Sequence, residues 1–167
     1  KTIKLAYLPK AGMVRLRLTA RGTEKENLLS DIESSVKSLY NIVAEYILGE
    51  DVESLAEIVS EKMRFYKKTL SVAESCSGGA IASSITSLSG ASEYFKGGVV
   101  AYSNTIKENM LGVSGDTLSK YGAVSEETAK EMVLGVLYKM DTDYAIATTG
   151  IAGPNGGTVE KPVGTVW

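Results

Sequence analysis

Hydrophobic and polar residues alternate along the first twenty positions of the chain. Segments 3–8 and 14–19 each place apolar residues at about every second position, and the break between them, at 9–12, contains Pro9 and Gly12. A period of two followed by a proline–glycine break predicts a β-hairpin with one face exposed.

The pattern changes to helical spacing after Gly22. Segment 24–44 repeats apolar residues every three or four positions, which predicts an amphipathic helix. A short strand is expected at 45–48, ended by Gly49. Residues 1–50 are therefore predicted to form a small α+β module of β-β-α-β order.

A second pattern begins at about Asp51. An amphipathic helix is expected over 51–68, and strands then alternate with helices: strands at 69–73, 97–102 and 144–148, helices at 76–88, 104–111 and 125–140, and the start of another strand at 164–167. This alternation predicts a three-layer α/β sandwich for residues 51–167, with ligands at the carboxyl ends of the strands.

Composition narrows the class of protein. The chain is 44% hydrophobic and 23% charged, with a net charge of −2. These values are typical of soluble globular proteins and give no electrostatic reason to expect nucleic acid as a partner. No apolar run approaches the roughly 18 residues of a membrane span. One cysteine cannot form an internal disulfide, which suits the cytoplasm.

The absence of histidine excludes several kinds of site. The 167 residues include none, so Ser-His-Asp and Cys-His catalysis and histidine-bearing zinc sites cannot be built from this chain alone. Hydrolytic chemistry would have to use serine, threonine, cysteine, lysine, tyrosine or carboxylates.

Three corners between a strand and the following segment carry candidate chemistry. The first is Glu74-Ser75-Cys76-Ser77-Gly78-Gly79. It is read either as a capped helix start or as an oxyanion site made by free N–H groups.

The second corner contains Tyr102, Asn104 and Lys107. Asn104 is the expected N-cap, which puts Lys107 in the first helical turn, where the helix dipole disfavours a cation. Lys107 is either a solvated surface residue or a base whose pKa is lowered by the helix start and burial. A Ser-Lys pair is an established replacement for Ser-His, and Tyr102 would lie on the same rim.

The third corner, 148–157, includes Thr149, Gly150, Ile151 and Gly153. It is either a flexible crossing loop or a backbone cradle for phosphate or ribose. It lacks the spacing of the usual ATP and dinucleotide motifs.

Taken together, these blocks resemble one family, the CinA (competence/damage-inducible) family, whose C-terminal domain is a nicotinamide-nucleotide amidase. The resemblance rests on 73–79, on Tyr102-Ser103-Asn104 with Lys107, on 122–127, on 150–154 and on 161–166. Residues 1–50 resemble the small KH-type module that precedes this domain in longer members, without its Gly-x-x-Gly loop. The chain is thus expected to be truncated at both ends, and to lack the molybdopterin-binding-like domain of those members.

The resemblance implies hydrolysis of nicotinamide mononucleotide to nicotinic acid mononucleotide and ammonia, with no metal or organic cofactor. It places the nucleophile on Ser75, the general base on Lys107 and a supporting tyrosine on Tyr102. N–H groups near Ser77 and Gly78 are candidates for the oxyanion. Other residues of the three corners are expected to contact substrate: Glu74, Cys76, Ser77, Gly78, Gly79, Asn104, Thr149, Gly150, Ile151 and Gly153.

Residues 71–167 contain no arginine, although a nucleotide phosphate is commonly held by one. The alternative function is a non-catalytic ligand-binding or assembly module. We further expect a homo-oligomer located in the cytoplasm.

Overall fold

The computed structural model describes residues 3–10, 12–51 and 54–167. It divides into two compact units, Lys1–Asp51 and Val52–Trp167.

The first unit contains the predicted hairpin. Strands β1 (Ile3–Lys10) and β2 (Met13–Ala20) pair antiparallel, with Ile3 opposite Ala20 and Lys10 opposite Met13. Both strands extend beyond the predicted bounds, and Ala11 of the turn lies outside the described residues. Helix α1 (Lys25–Val43) follows.

The strand predicted at 45–48 is wrong. A 3-10 helix occupies Ala44–Tyr46, and the Ile47 N–H donates to the Ala44 carbonyl (3.2 Å). The chain here closes a tight helical turn instead of extending, so the observed order of the unit is β-β-α followed by a 3-10 turn.

The second unit alternates helices and strands. In order these are α2 (Leu55–Phe65), β3 (Leu70–Glu74), α3 (Ala80–Thr86), a 3-10 helix (Ala91–Glu93), β4 (Phe95–Val100), α4 (Asn104–Leu111), α5 (Gly115–Tyr121), α6 (Glu126–Met140) and β5 (Tyr144–Thr148). No helix in the described ranges is long and apolar enough to cross a membrane.

A parallel sheet of order β4-β3-β5 lies between two helical layers. Leu70 and Val72 of the central strand pack with residues of α2 and α3, including Met63 and Ile85. Ala73 belongs to a second core cluster with residues of α4 and α6. Successive side chains of β3 thus point into opposite cores, and the predicted three-layer α/β sandwich is confirmed.

Several boundaries differ from the prediction. Helix α4 matches its predicted bounds, but α3 begins at Ala80 and not at Cys76. Helix α5 was not predicted; it begins after Ser114, whose side chain accepts from the Asp116 N–H. Segment 164–167 forms an isolated antiparallel bridge, Gly150 with Val166, and not a named strand.

Candidate active site

The three predicted corners follow the three strands of the parallel sheet. Strand β3 ends at Glu74, β4 at Val100 and β5 at Thr148. Carboxyl ends of parallel strands meet at one edge of a sheet, so the residues that follow them are brought together there.

Ser75 and Lys107 are in direct contact at this edge. Lys107 Nζ lies 3.0 Å from Ser75 Oγ in a buried hydrogen bond. Lys107 is 1% exposed and Ser75 7% exposed. Ser75 is held in place by its own N–H, which donates to the Thr148 carbonyl (2.9 Å).

The ammonium of Lys107 has no carboxylate partner in the described part of the chain. Its other contacts are the carbonyl oxygens of Ala101 (2.7 Å) and Tyr102 (3.4 Å). Burial lowers the pKa of Lys107 below the ordinary lysine value of 10.5, and the neighbouring Cys76 opposes this shift only in part. Desolvation is therefore the cause of the lowered pKa. Lys107 is the fourth residue of α4.

The side chain of Glu74 is buried and hydrogen-bonded to the backbone, so it is not open to a ligand. Its carboxylate is 1% exposed and accepts hydrogen bonds from the N–H groups of Gly79 (3.0 Å), Ile81 (3.1 Å) and Ala82 (2.8 Å). Burial alone would raise the pKa of Glu74, but these bonds and one from Ser77 outweigh it, so the pKa is lowered. Glu74 thus caps α3 as an ionised carboxylate.

This cap explains the late start of α3. The turn at 76–79 separates the strand from the helix, and Gly79 has the positive φ of 99° that glycine adopts readily. The helix start is capped, as one of the two interpretations of this corner expected, and the carboxylate of Glu74 supplies the cap.

The free N–H groups at this corner agree with the expectation for Ser77 but not for Gly78. The Gly78 N–H donates to the Ser75 carbonyl (3.1 Å), whereas the N–H groups of Cys76 and Ser77 donate to no described residue. The Ser77 hydroxyl lies 2.6 Å from that of Thr148. Unoccupied donors are therefore found at positions 76 and 77, directly after Ser75.

Apart from the buried Lys107, the second corner places its side chains outward. Tyr102 is 74% exposed, and the contact it makes with Lys107 is through its carbonyl oxygen. Asn104 is exposed and is the first residue of α4; Ser103 is the N-cap and accepts from the Ile106 N–H (3.3 Å). The expected cap at Asn104 is wrong by one residue.

The third corner is a braced loop. Thr149 donates its hydroxyl to the Ala123 carbonyl (2.6 Å) and exchanges both backbone hydrogen bonds with Trp167. The Ile151 N–H donates to the Thr165 carbonyl (2.9 Å). The N–H groups of Thr149 and Ile151 are occupied within the fold, so this part of the segment is not a freely flexible loop. A cradle made by the other N–H groups of the segment stays a prediction.

Two glycines of this loop permit close contacts. A Cβ at Gly150 would lie 2.6 Å from the Thr165 carbonyl oxygen and 3.0 Å from Cys76 Sγ, and one at Gly153 would lie 2.5 Å from Val163 Cγ1. Gly150 thus brings the third corner against the half-buried thiol of Cys76.

Sequence reasoning missed the backbone and hydroxyl groups that complete the site. The Ala101 carbonyl carries no side-chain signal that could have been found. Thr148 could have been singled out, since its hydroxyl and carbonyl come at the end of β5, opposite the first corner.

Comparison with known proteins identifies the family. Residues 52–167 match the model of the CinA C-terminal domain. A CinA-like protein of Cytophaga hutchinsonii is 48% identical over 163 residues, covering 98% of this chain and 39% of its own length. A CinA-like protein of Kosmotoga olearia is also 48% identical, covering 98% of this chain and 40% of its own length.

A solved structure agrees with the sequence comparison. The competence/damage inducible protein CihA from Agrobacterium tumefaciens is 44% identical with a TM-score of 0.67, over 72% of this chain and 73% of that one. The chain spans about 40% of the length of the curated relatives that it matches. The chain belongs to the CinA family, with the family's C-terminal domain at residues 52–167.

Proposed function

We propose that this chain is an amidohydrolase that converts nicotinamide mononucleotide and water to nicotinic acid mononucleotide and ammonia. Ser75 is the nucleophile and Lys107 the general base. The observation that carries the proposal is the buried 3.0 Å contact between Ser75 Oγ and Lys107 Nζ.

The surroundings of Lys107 favour a neutral amine. A neutral amine has two N–H donors and one lone pair, and the site offers two carbonyl acceptors, of Ala101 and Tyr102, and one hydroxyl, of Ser75. In our proposal the two donors are assigned to the carbonyls and the lone pair to the hydroxyl, so that Ser75 donates its proton to Lys107 Nζ. A charged ammonium here would be desolvated without a carboxylate in the described residues, which costs free energy.

The proposed reaction runs in two halves. Lys107 Nζ takes the proton of Ser75 Oγ as the oxygen attacks the amide carbon. Lys107 then donates that proton to the amide nitrogen, which leaves as ammonia when the C–N bond breaks. In the second half, Lys107 takes a proton from water, whose oxygen attacks the ester carbon. Ser75 leaves with the returned proton, and the acid product gives up its own proton to solvent and is released as the carboxylate.

The tetrahedral oxyanion of each half needs donors close to Ser75. The free N–H groups of Cys76 and Ser77 are our candidates, because they follow the nucleophile directly and have no partner among the described residues. Of the pair expected from the sequence, Ser77 is kept, and Cys76 takes the place of Gly78, whose N–H donates to the Ser75 carbonyl.

The choice of substrate rests on family membership, as the Ser-Lys pair alone fits any acyl transfer. Of the expected contacts, Tyr102 and Asn104 are exposed and free to meet a substrate, while Glu74 and Thr149 are engaged within the fold. We also propose that the chain forms a homo-oligomer and functions in the cytoplasm.

Ammonia release tests the function directly. The purified chain is incubated with nicotinamide mononucleotide, ammonia is measured by a coupled assay, and nicotinic acid mononucleotide is identified by chromatography. Equimolar formation of both products is expected, together with its loss in Ser75→Ala. Turnover of other amides but not of this nucleotide would keep the amidohydrolase and overturn the substrate.

The other candidate is a ligand-binding or assembly module without catalysis. The buried Ser-Lys pair lies at the carboxyl ends of the parallel strands. It favours the enzyme, because a binding site gains nothing from a desolvated amine that faces a hydroxyl. Binding of the nucleotide without ammonia release, unchanged by Ser75→Ala, would favour the module.

A further inference from the structure

The hairpin of the first unit concentrates positive charge. Residues 1–23 contain six lysine and arginine residues and no aspartate or glutamate, in a chain whose net charge is −2. Such a concentration in one element is a local feature of the hairpin and does not reflect the overall composition.

Three of these cations surround one cavity. An open cavity of about 450 Å³ is lined by Lys4, Leu5, Ala6, Arg17, Thr19 and Arg21. In the antiparallel register, Lys4 lies opposite Thr19 and Ala6 opposite Arg17, so these four side chains share one face. The small side chain of Ala6 leaves space beside Arg17.

The register also crowds like charges. The diagonal neighbours of Lys4 across the hairpin are the residues two positions on either side of Thr19, which are Arg17 and Arg21. Diagonal neighbours in an antiparallel pair lie about 7–8 Å apart, and three like charges at such separations repel one another.

Nothing in the described chain offsets this repulsion. None of the three cations forms a salt bridge or a hydrogen bond with a described residue, and all three are exposed. Helix α1 packs against β2, and Leu16 and Leu18 point to the face opposite Arg17. The basic face therefore remains open to a ligand.

We propose that this cavity binds the phosphate groups of a small phosphorylated ligand. Two guanidinium groups and one ammonium provide forked and point-charge donors for phosphate oxygens, and the Thr19 hydroxyl supplies a neutral donor. The cavity volume lies in the usual range for small-molecule sites. This site is built from residues of the first unit and does not depend on the proposed amidase.

Calorimetric titration of the full chain with inorganic pyrophosphate tests the site. Arg17→Gln/Arg21→Gln is expected to weaken binding by at least about tenfold, the scale of losing charged hydrogen bonds to phosphate. The matched control, Lys25→Gln/Lys37→Gln on exposed positions of α1, removes the same charge and is expected to bind as the parent does. Arg17→Lys/Arg21→Lys keeps the charge but loses the forked donors, so its affinity is expected to lie between those of the parent and the glutamine variant.

Three results would overturn the proposal. If both glutamine variants weaken pyrophosphate binding equally, the effect depends on net charge and not on this cavity. If no binding is detected at millimolar pyrophosphate, the cavity is not a phosphate site. Much tighter binding of a short oligothymidylate, lost in the same arginine variant, would make this face a nucleic-acid surface instead. Circular dichroism of each variant verifies that the hairpin is folded.

Discussion

Ser75 and Lys107 determine each other's chemistry. The serine is a useful nucleophile only if a base takes its proton, and the lysine is a base only if it is neutral. Burial at 1% exposure lowers the pKa of Lys107 and so favours the second condition. The 3.0 Å contact supports the first, in the roles that we propose for the two residues.

Activity is expected to depend on pH through Lys107. The base must be unprotonated, so kcat/KM should rise with pH through the lowered pKa of Lys107 and level off below 10.5, the ordinary lysine value. Lys107→Arg keeps the charge but cannot deprotonate at any workable pH. It should lose activity about as completely as Lys107→Ala, as measured by ammonia release.

An active arginine variant would show that position 107 acts only through its charge. Lys120→Arg, at an exposed lysine beside Tyr121, is the matched control and should leave the pH profile unchanged.

The choice between Ser75 and Cys76 as nucleophile is decided by substitution. A thiol is intrinsically the better nucleophile, but the hydrogen bond to Lys107 belongs to the Ser75 hydroxyl. Cys76→Ala should retain substantial turnover, while Ser75→Ala should lose at least roughly a hundredfold. Loss of all turnover in Cys76→Ala, with only reduced turnover in Ser75→Ala, would show that the nucleophile is the Cys76 thiol.

At the scale of the element, helix α3 depends on the strand that precedes it. Glu74 ends β3 and satisfies three N–H groups of α3 and its N-cap with one carboxylate. This bond set fixes the turn that carries Ser75, Cys76 and Ser77. Glu74 is therefore a positioning residue in our proposal and not a substrate contact.

Glu74→Gln tests this role. The amide keeps one oxygen acceptor but turns its NH₂ toward N–H donors, which should lower the free energy of unfolding by about 2–4 kcal/mol. It should also reduce kcat, because the turn at 75–78 loses its anchor. Glu127→Gln, an exposed carboxylate of α6, is the control.

Denaturant unfolding measures the first effect and ammonia release the second. A variant as stable as the parent that binds substrate poorly would instead return Glu74 to the substrate contacts.

Elements with a regular hydrophobic period were predictable, and those fixed by distant contacts were not. Helix α4 and strand β5 follow their periods and match their predicted bounds. The start of α3 depends on the buried carboxylate of Glu74, and the loop after β5 depends on its pairing with Trp167. The period of hydrophobic residues along the chain predicts neither contact.

The same limit applies to the site. The proximity of Ser75 and Lys107 could be anticipated, because both follow parallel strands. The hydrogen bonds of the Glu74 and Thr149 side chains to the backbone could not be anticipated. In the sequence, a carboxylate or hydroxyl at a corner looks the same whether it faces a ligand or the backbone.

At the scale of the whole molecule, the proposed chemistry belongs to one of two compact units. Ser75, Lys107 and the groups that hold them all lie within Val52–Trp167, the range that matches the CinA C-terminal domain. The basic cavity of the hairpin belongs to Lys1–Asp51. Each proposal can therefore fail without the other.

Removal of residues 1–51 separates the two. The second unit has its own parallel sheet and both of the core clusters described above, so it should fold alone and release ammonia within about threefold of the parent rate, as expected for a compact domain with its own core. Pyrophosphate binding at the hairpin should disappear with the deletion. A folded 52–167 chain that has lost turnover would show that the first unit shapes the amidase site. If pyrophosphate binding persisted at the parent affinity, the cavity beside Arg17 and Arg21 would not be the site that binds it.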